Sequence, residues 1–264
     1  MKWEELTAQE FKEAVATTQQ TCLVPLGVIE KHGDHLPLGT DLINVRKLAA
    51  RTAAIEPVVI FPSYYFGQIS EARHQPGTLS FDARFLLDSL QNVCHEIARN
   101  GFTKIILLNG HGGNSHFLPF FAQTQLNSVT AYQVYVTDLF ALGQCVEIGK
   151  IITDRSGGHA DELETALMLR NRPDLVKMDR VDLASGEPLQ RLNHLANVYT
   201  AIWWYADYPD HFAGNPTAAA AEKGERLFAV LAEKLAATVK AIKQDTTVAQ
   251  LQREFYQKAD HLCK

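Results

Sequence analysis

The apolar run in Lys104–Leu108 (KIILL) most narrowly limits what this chain can fold into, because it is short, β-branched and bounded by turn residues. Such a run reads as a strand buried in a sheet. Thr21–Gly27 and Val58–Phe61 have the same character, the second ended by Pro62, and a further strand is expected around Val129–Thr137. Helical patterns lie between them. Residues 42–54 place Leu42, Val45, Leu48 and Ala49 on one face, and a helix capped within Ser80–Asp82 runs to about Arg99 with Phe85, Leu86, Leu90, Val93 and Ile97 inward. Thr7-Ala8-Gln9-Glu10 is a capping box, with Leu6 and Phe11 placed for a hydrophobic staple. Another helix is predicted near Phe117–Gln125, and Asn215-Pro216 is expected to open a long one carrying Leu227, Val230, Leu231, Leu235 and Val239.

Strands alternating with helices of this length predict an α/β protein, a three-layer α/β/α arrangement around a mostly parallel sheet. No repeat, low-complexity tract or long linker divides the 264 residues, so one domain is expected. Residues 183–216 are turn-rich and aromatic (Trp203, Trp204, Tyr205, Tyr208, Phe212) and read as a lid or insertion.

Composition narrows the function classes. The formal charge is −5 and no Lys/Arg-rich run occurs, which argues against nucleic acid as a partner. The apolar stretches are too short to span a bilayer. Met1–Glu5 lacks an apolar signal region, so a cytoplasmic protein is expected. The four cysteines (Cys22, Cys94, Cys145, Cys263) form no CxxC pair, which excludes a zinc ribbon and gives no reason to expect a disulfide framework.

Chemistry concentrates in three turns. In the first, Glu30-Lys31-His32-Gly33-Asp34-His35 follows the first strand and leads through Pro37 and Gly39 to Asp41 at the next helix. If strand geometry persists, Glu30 and His32 point to one side. Two carboxylates and an imidazole can then converge, a mixed O/N donor set that suits Zn²⁺ or Mn²⁺ and also fits Fe²⁺. The plainer reading is that Asp41 caps the helix and the histidines are polar surface residues.

The second turn, Asn109-Gly110-His111-Gly112-Gly113-Asn114, follows KIILL, at the strand end where open α/β sheets bind ligands. A phosphate-cradling loop is the alternative, but neither GK[ST] nor the GxGxxG spacing is present. His111 is therefore a candidate ligand or acid/base. The third is Gly157-Gly158-His159-Ala160-Asp161-Glu162-Leu163-Glu164. His159 and Glu162 share a face if both are helical, whereas Glu164 points elsewhere unless the helix begins later. A capped helix with acidic residues in its first turn is the plainer reading here.

Together these segments resemble the creatininase (creatinine amidohydrolase) family. Its pattern P-x-G-x-x-E-x-H-G-x-H-L-P-L-x-T-D is matched from Pro25 to Asp41, with NGHGGN at Asn109–Asn114 and GHA-x-E-x-E-T at Gly158–Thr165. Lesser matches are Gly67–Thr78 and Gly214-Asn215-Pro216-Thr217 running into Glu222-Lys223-Gly224. The resemblance implies an α/β fold with two divalent metal ions per subunit, assembled as a homo-oligomer, often a hexamer. It implies that Glu30, His32, Asp41 and His111 are metal ligands, Asp41 bridging, and that His159 transfers protons beside a small-molecule amide substrate.

The match departs from the creatinine-hydrolysing members at two places. Their glutamate two residues after the loop histidine is Gly113 here, which leaves the second ion to be completed by Glu164 or water. Their tryptophans near the histidine segment are missing, since none lies between Trp3 and Trp203; Asp154-Arg155 precedes Gly157 instead. Arg155 is a candidate for meeting a carboxylate or phosphate, or else a solvated charge. Relatives with the NGHGGN form include deformylases of formamidopyrimidine-type intermediates and a peptidase of peptide-derived cofactor maturation.

The expected reaction is metal-assisted hydrolysis of a C–N amide bond, with His159 protonating the leaving nitrogen. Glu164, or failing it Glu162, would orient His159 or complete the metal site, and His35 and His74 are pocket candidates or hydrogen-bond donors behind it. The competing reading is a non-catalytic metal- or nucleotide-binding module, for which Gly113 is the argument.

Overall fold

The computed structural model describes residues 1–154, 157–183 and 185–259. Arg155 and Cys263 lie outside these. Four parallel strands, β1 (Thr21–Leu26), β2 (Val59–Ile60), β3 (Lys104–Asn109) and β4 (Gln133–Asp138), form one sheet in the order β2-β1-β3-β4. In β1 and β3 successive side chains go to opposite faces, and both faces are covered. Leu23, Ile106 and Leu108 pack with α2 (Thr40–Ile55) and the later helices, while Cys22, Val24, Leu26, Ile105 and Leu107 pack on the other side. That other side is built from α1 (Ala8–Thr17), α3 (Ala83–Arg99) and α4 (Asn114–Thr124). The result is the expected α/β/α layering, with a continuous apolar strand because neither face meets water.

Short α5 (Leu139–Gly143) and α6 (Val146–Gly149) lead to α7 (Glu162–Asn171), a short α8 (Trp203–Asp207), and then α9 (Ala221–Gln244) and α10 (Thr247–Ala259). The capping box at Thr7 and Glu10 forms as expected, and Asp82 caps α3. Asn215 does not open the long helix. Its Oδ1 accepts from Thr217 N–H in a turn, and the helix begins only at Ala221, so its capping capacity is spent on the preceding loop. No helix among the described residues is long and apolar enough to cross a membrane.

The strand order places a topological switch between β1 and β3. Connections from β1 run one way across the sheet and those to β3 return the other way, opening a crevice at the carboxyl ends of these strands. The loops carrying Glu30, His32 and His111 leave from those two ends.

Candidate metal centre

β1 ends at Leu26, so Glu30 and His32 are not strand residues as the spacing suggested. They sit on a loop folded back on itself: Glu30 N–H donates to Leu38 O (2.9 Å), and His32 pairs with Leu36 in an antiparallel bridge. Asp41 reaches the same spot because Gly27 has no side chain. A Cβ there would lie 2.5 Å from Leu42 N, so only glycine lets the start of α2 press against the end of β1.

Glu30, His32, Asp41 and His111 are all buried, and they converge. Asp41 Oδ1 lies 2.9 Å from His32 Nε2, and Asp41 Oδ2 lies 2.9 Å from His111 Nδ1. Glu30 Oε1 is 2.8 Å from the same Nδ1. Glu164 Oε2 stands 3.7 Å from His32 Nε2. These atoms define two overlapping groups, Glu30–Asp41–His111 and His32–Asp41–Glu164, with Glu30–His32–His159 as a third. Donor atoms this close together could share a small divalent cation.

Two observations test whether a cation fits. Glu30 Oε1 and Asp41 Oδ2 are buried without a hydrogen-bond partner, although both stand beside His111 Nδ1. Buried carboxylate oxygens need a partner, and a divalent cation between these three atoms supplies one. The rings are also backed by carbonyl oxygens. His111 Nε2 lies 2.8 Å from Gln68 O, and His32 Nδ1 lies 3.3 Å from Glu30 O, which leaves Nδ1 of His111 and Nε2 of His32 facing the cluster.

Electrostatics agree with this arrangement. Burial works against a charge on His32, but Asp41 and Glu164 outweigh it and hold the imidazole up at about 10. His111 is raised by Glu30 and Asp41 in the same way, against its burial. Burial pushes Glu164 up to about 8 against the pull of His32. Imidazoles and carboxylates thus attract one another across the cluster.

The third turn resolves in favour of Glu164. Helix α7 begins at Glu162, after His159, and Asp161 caps it by accepting from Glu164 N–H at 3.1 Å. That late start turns Glu164 inward, where its Oε2 also accepts from Ala160 N–H at 2.6 Å. It turns Glu162 away. Glu162 pairs with Lys223 and accepts from the amides of Thr153 and Asp154, so it ties α7 to α9 and does not line the pocket. His35 is buried behind the cluster, its Nε2 3.0 Å from Thr165 Oγ1. His74 also lies outside the pocket wall; it is 2.8 Å from Pro209 O and edge-on to Tyr205, and so braces the aromatic segment.

His159 is brought to the cluster, its ring 4.2 Å from that of His32. Its Nε2 lies 2.8 Å from Lys31 O, and burial together with the neighbouring His32 pushes it down to about 3. Above the cluster opens a cavity of about 630 Å³ walled by Phe117, Phe120, Tyr199, Trp203 and Trp204. The tryptophans missing near His159 in sequence are thus supplied to the pocket by the 183–216 segment. His211, from the same segment, was not predicted: its Nε2 is 2.5 Å from Glu30 Oε2. A lone histidine after Asp207 and Asp210 in a turn-rich stretch matches no ligand pattern, and only its place among the aromatics marked the region.

Gly113 also acquires a physical account. A Cβ at this position would lie 2.5 Å from His111 Nε2 and 2.7 Å from Gln68 O. The space a glutamate side chain would enter is occupied by Gln68, and Glu164 reaches the cluster from the first turn of α7.

Fold and cluster therefore define an α/β protein with a buried site, at the sheet's switch point, that could hold divalent cations. The family model for creatininase (creatinine amidohydrolase) matches residues 4–239, and the chain belongs to that family of hydrolases. A creatinine amidohydrolase of Pseudomonas putida is 30% identical over 194 residues, covering 67% of this chain and 74% of its own. A mycofactocin precursor peptide peptidase of Mycobacterium ulcerans (strain Agy99) is 28% identical over 232 residues, 82% of this chain and 83% of its own. A crystal structure of a creatinine amidohydrolase superposes with a TM-score of 0.79 at 25% identity, covering 93% of this chain and 98% of that one.

Proposed function

We propose that this protein is a divalent-metal-dependent amidohydrolase with a pair of metal sites, cleaving a C–N amide bond. The observation that carries the reading is Asp41, whose two oxygens face different imidazoles, Oδ1 towards His32 and Oδ2 towards His111. A carboxylate so placed would serve both metal sites. Glu30 and His111 would complete one site, His32 and Glu164 the other, so the glycine at 113 does not leave the second site without a carboxylate. Zn²⁺ and Mn²⁺ suit this donor set, and Fe²⁺ also fits it. Divalent ions held there polarise an amide carbonyl and acidify water towards neutral pH.

The chain's own contribution is proton transfer and enclosure. Lys31 O accepts the Nε2–H of His159, which leaves Nδ1 with the lone pair. The ring would take a proton from water on Nδ1 and pass it to the leaving nitrogen. The aromatic wall excludes water and presents flat apolar surface to the substrate.

The size and lining of the cavity favour an amide bulkier than creatinine, with an aromatic or apolar group beside the scissile bond. The peptidase relative makes a peptide amide one such candidate. A non-catalytic module is disfavoured by His159 being kept beside the cluster, where metal binding alone gives it no task. The test is metal analysis of the purified protein, with a panel of cyclic amides, formamides and aromatic-terminated short peptides assayed before and after chelation. Turnover that requires Zn²⁺ or Mn²⁺ is expected; bound metal with no turnover on any member would overturn the enzymatic reading.

A further inference from the structure

A file of side-chain hydrogen bonds runs from the aromatic segment to the carboxylate of Glu30. Trp204 Nε1 donates to His211 Nδ1 at 2.9 Å, and His211 Nε2 lies 2.5 Å from Glu30 Oε2. An indole N–H can only donate, so Nδ1 of His211 must offer a lone pair. The ring is then the Nε2–H tautomer, with its one N–H aimed at Glu30.

This divides the carboxylate. Oε2 is taken by His211, while Oε1 is buried, lacks a hydrogen bond and stands 2.8 Å from His111 Nδ1. His211 is 1% exposed and held at φ +55°, a conformation non-glycine residues rarely adopt. Its carbonyl accepts from Gly33 N–H and its own N–H donates to Tyr208 O, so the backbone is pinned to the ligand loop on one side and the aromatic segment on the other. At the far end, the Trp204 indole lines the cavity and stands edge-on to His159, with ring centres 5.7 Å apart.

We propose that Trp204 and His211 are a positioning relay that holds Glu30 as a one-oxygen metal ligand and ties that ligand to the wall of the substrate pocket. The relay rests on the reading of the cluster as a metal centre. Without the His211 donor, Oε2 is either left buried and unpaired or free to swing onto the ion as a second ligand atom. Either outcome alters the site although no ligand has been removed. Without the Trp204 N–H, Glu30 still selects the Nε2–H tautomer, but Nδ1 of His211 is left buried without a partner and the ring loses the bond that fixes its tilt towards Glu30.

The relay is tested on the full chain with Zn²⁺ alone. Zinc affinity is measured by competition with a chromophoric chelator, and the His211 tautomer by long-range ¹H–¹⁵N spectra. The zinc-loaded wild type should show His211 protonated at Nε2 and a hydrogen-bonded Trp204 indole. His211→Phe, which keeps a ring but no donor, should weaken zinc binding about 10- to 100-fold, the range for partners behind metal ligands. His211→Gln, whose amide can donate to Glu30, should recover most of that loss. Trp204→Phe should bind zinc less tightly than the wild type and lose the hydrogen-bonded signature at His211 Nδ1.

An Nδ1–H tautomer in the wild type, or zinc binding of wild-type strength in folded His211→Phe, overturns the relay. Should His211→Phe fail to fold, the wild-type spectrum and Trp204→Phe decide the matter. Failure of the relay leaves zinc on the wild type intact, whereas a wild type that binds no zinc removes the metal reading itself.

Discussion

Asp41 Oδ2 and His111 Nδ1 lie 2.9 Å apart, although one residue opens α2 and the other sits on the loop after β3. Gly27 makes this possible by letting α2 start against the end of β1, and the switch in strand order puts the β3 loop beside it. Because the other oxygen of Asp41 faces His32, this carboxylate is common to both metal groups. Asp41→Asn should therefore lose both ions, with affinity falling by more than the roughly 100-fold reached by partners behind the ligands. Elemental analysis of the dialysed variant checks this, with circular dichroism confirming a folded chain; retention of one equivalent would contradict a bridging role.

Removing the metal should lower stability, since ions bind the folded cluster and not the unfolded chain. At free metal about 100 to 1,000 times Kd, the linkage is about 2.7 to 4.1 kcal/mol per site. Thermal unfolding with and without chelator measures it. A Tm indifferent to Zn²⁺ and Mn²⁺ would count against a metal centre.

The effect of pH has a definite sign. His32 is held at about 10, above its ordinary 6.5, by Asp41 and Glu164 against burial, and burial holds Glu164 at about 8. In metal-free protein the stability these protons confer is complete below the unfolded values. It is lost as pH rises through the folded ones, for His32 between about 6.5 and 10. An ion replaces those protons, so binding should release them and tighten as pH rises. Calorimetry in buffers of different ionisation enthalpy gives the count; zero protons released at pH 7 would be inconsistent with the cluster described.

His159 should separate chemistry from metal binding. His159→Gln is expected to keep its metal and lose about 100- to 10,000-fold in turnover, the usual contribution of a positioned acid–base group. Metal analysis alongside the pH–rate profile distinguishes this from a ligand role, in which metal would be lost as well.

Gly113→Glu should fail to create the carboxylate ligand found in creatinine-hydrolysing members. The new Cβ would lie 2.5 Å from His111 Nε2 and displace Gln68, costing about 1–3 kcal/mol and weakening metal binding. Enhanced metal affinity in this variant would refute the account of why glycine stands here.

Much of this protein was legible in one dimension. Buried runs such as KIILL and the helical stripes specify a parallel α/β/α sheet, because a strand covered on both faces must be apolar throughout. Glu30, His32 and Asp41 could be singled out because one turn keeps these donors close together in the chain, and His111 because it stands in a glycine-rich loop at a strand end that resembles the family's pattern. Tertiary structure decided the rest. Whether Glu162 or Glu164 faces the cluster depends on where α7 begins, and Asp161 sets that start by capping Glu164 N–H. His211 lies far along the chain from Glu30, and only the folding of the aromatic segment over the crevice brings its N–H to that carboxylate. The same packing supplies Trp203 and Trp204 to a pocket whose local sequence has no tryptophan. Local patterning reports which residues can bind a metal, while the contacts that orient them are made between distant segments and leave no periodic trace.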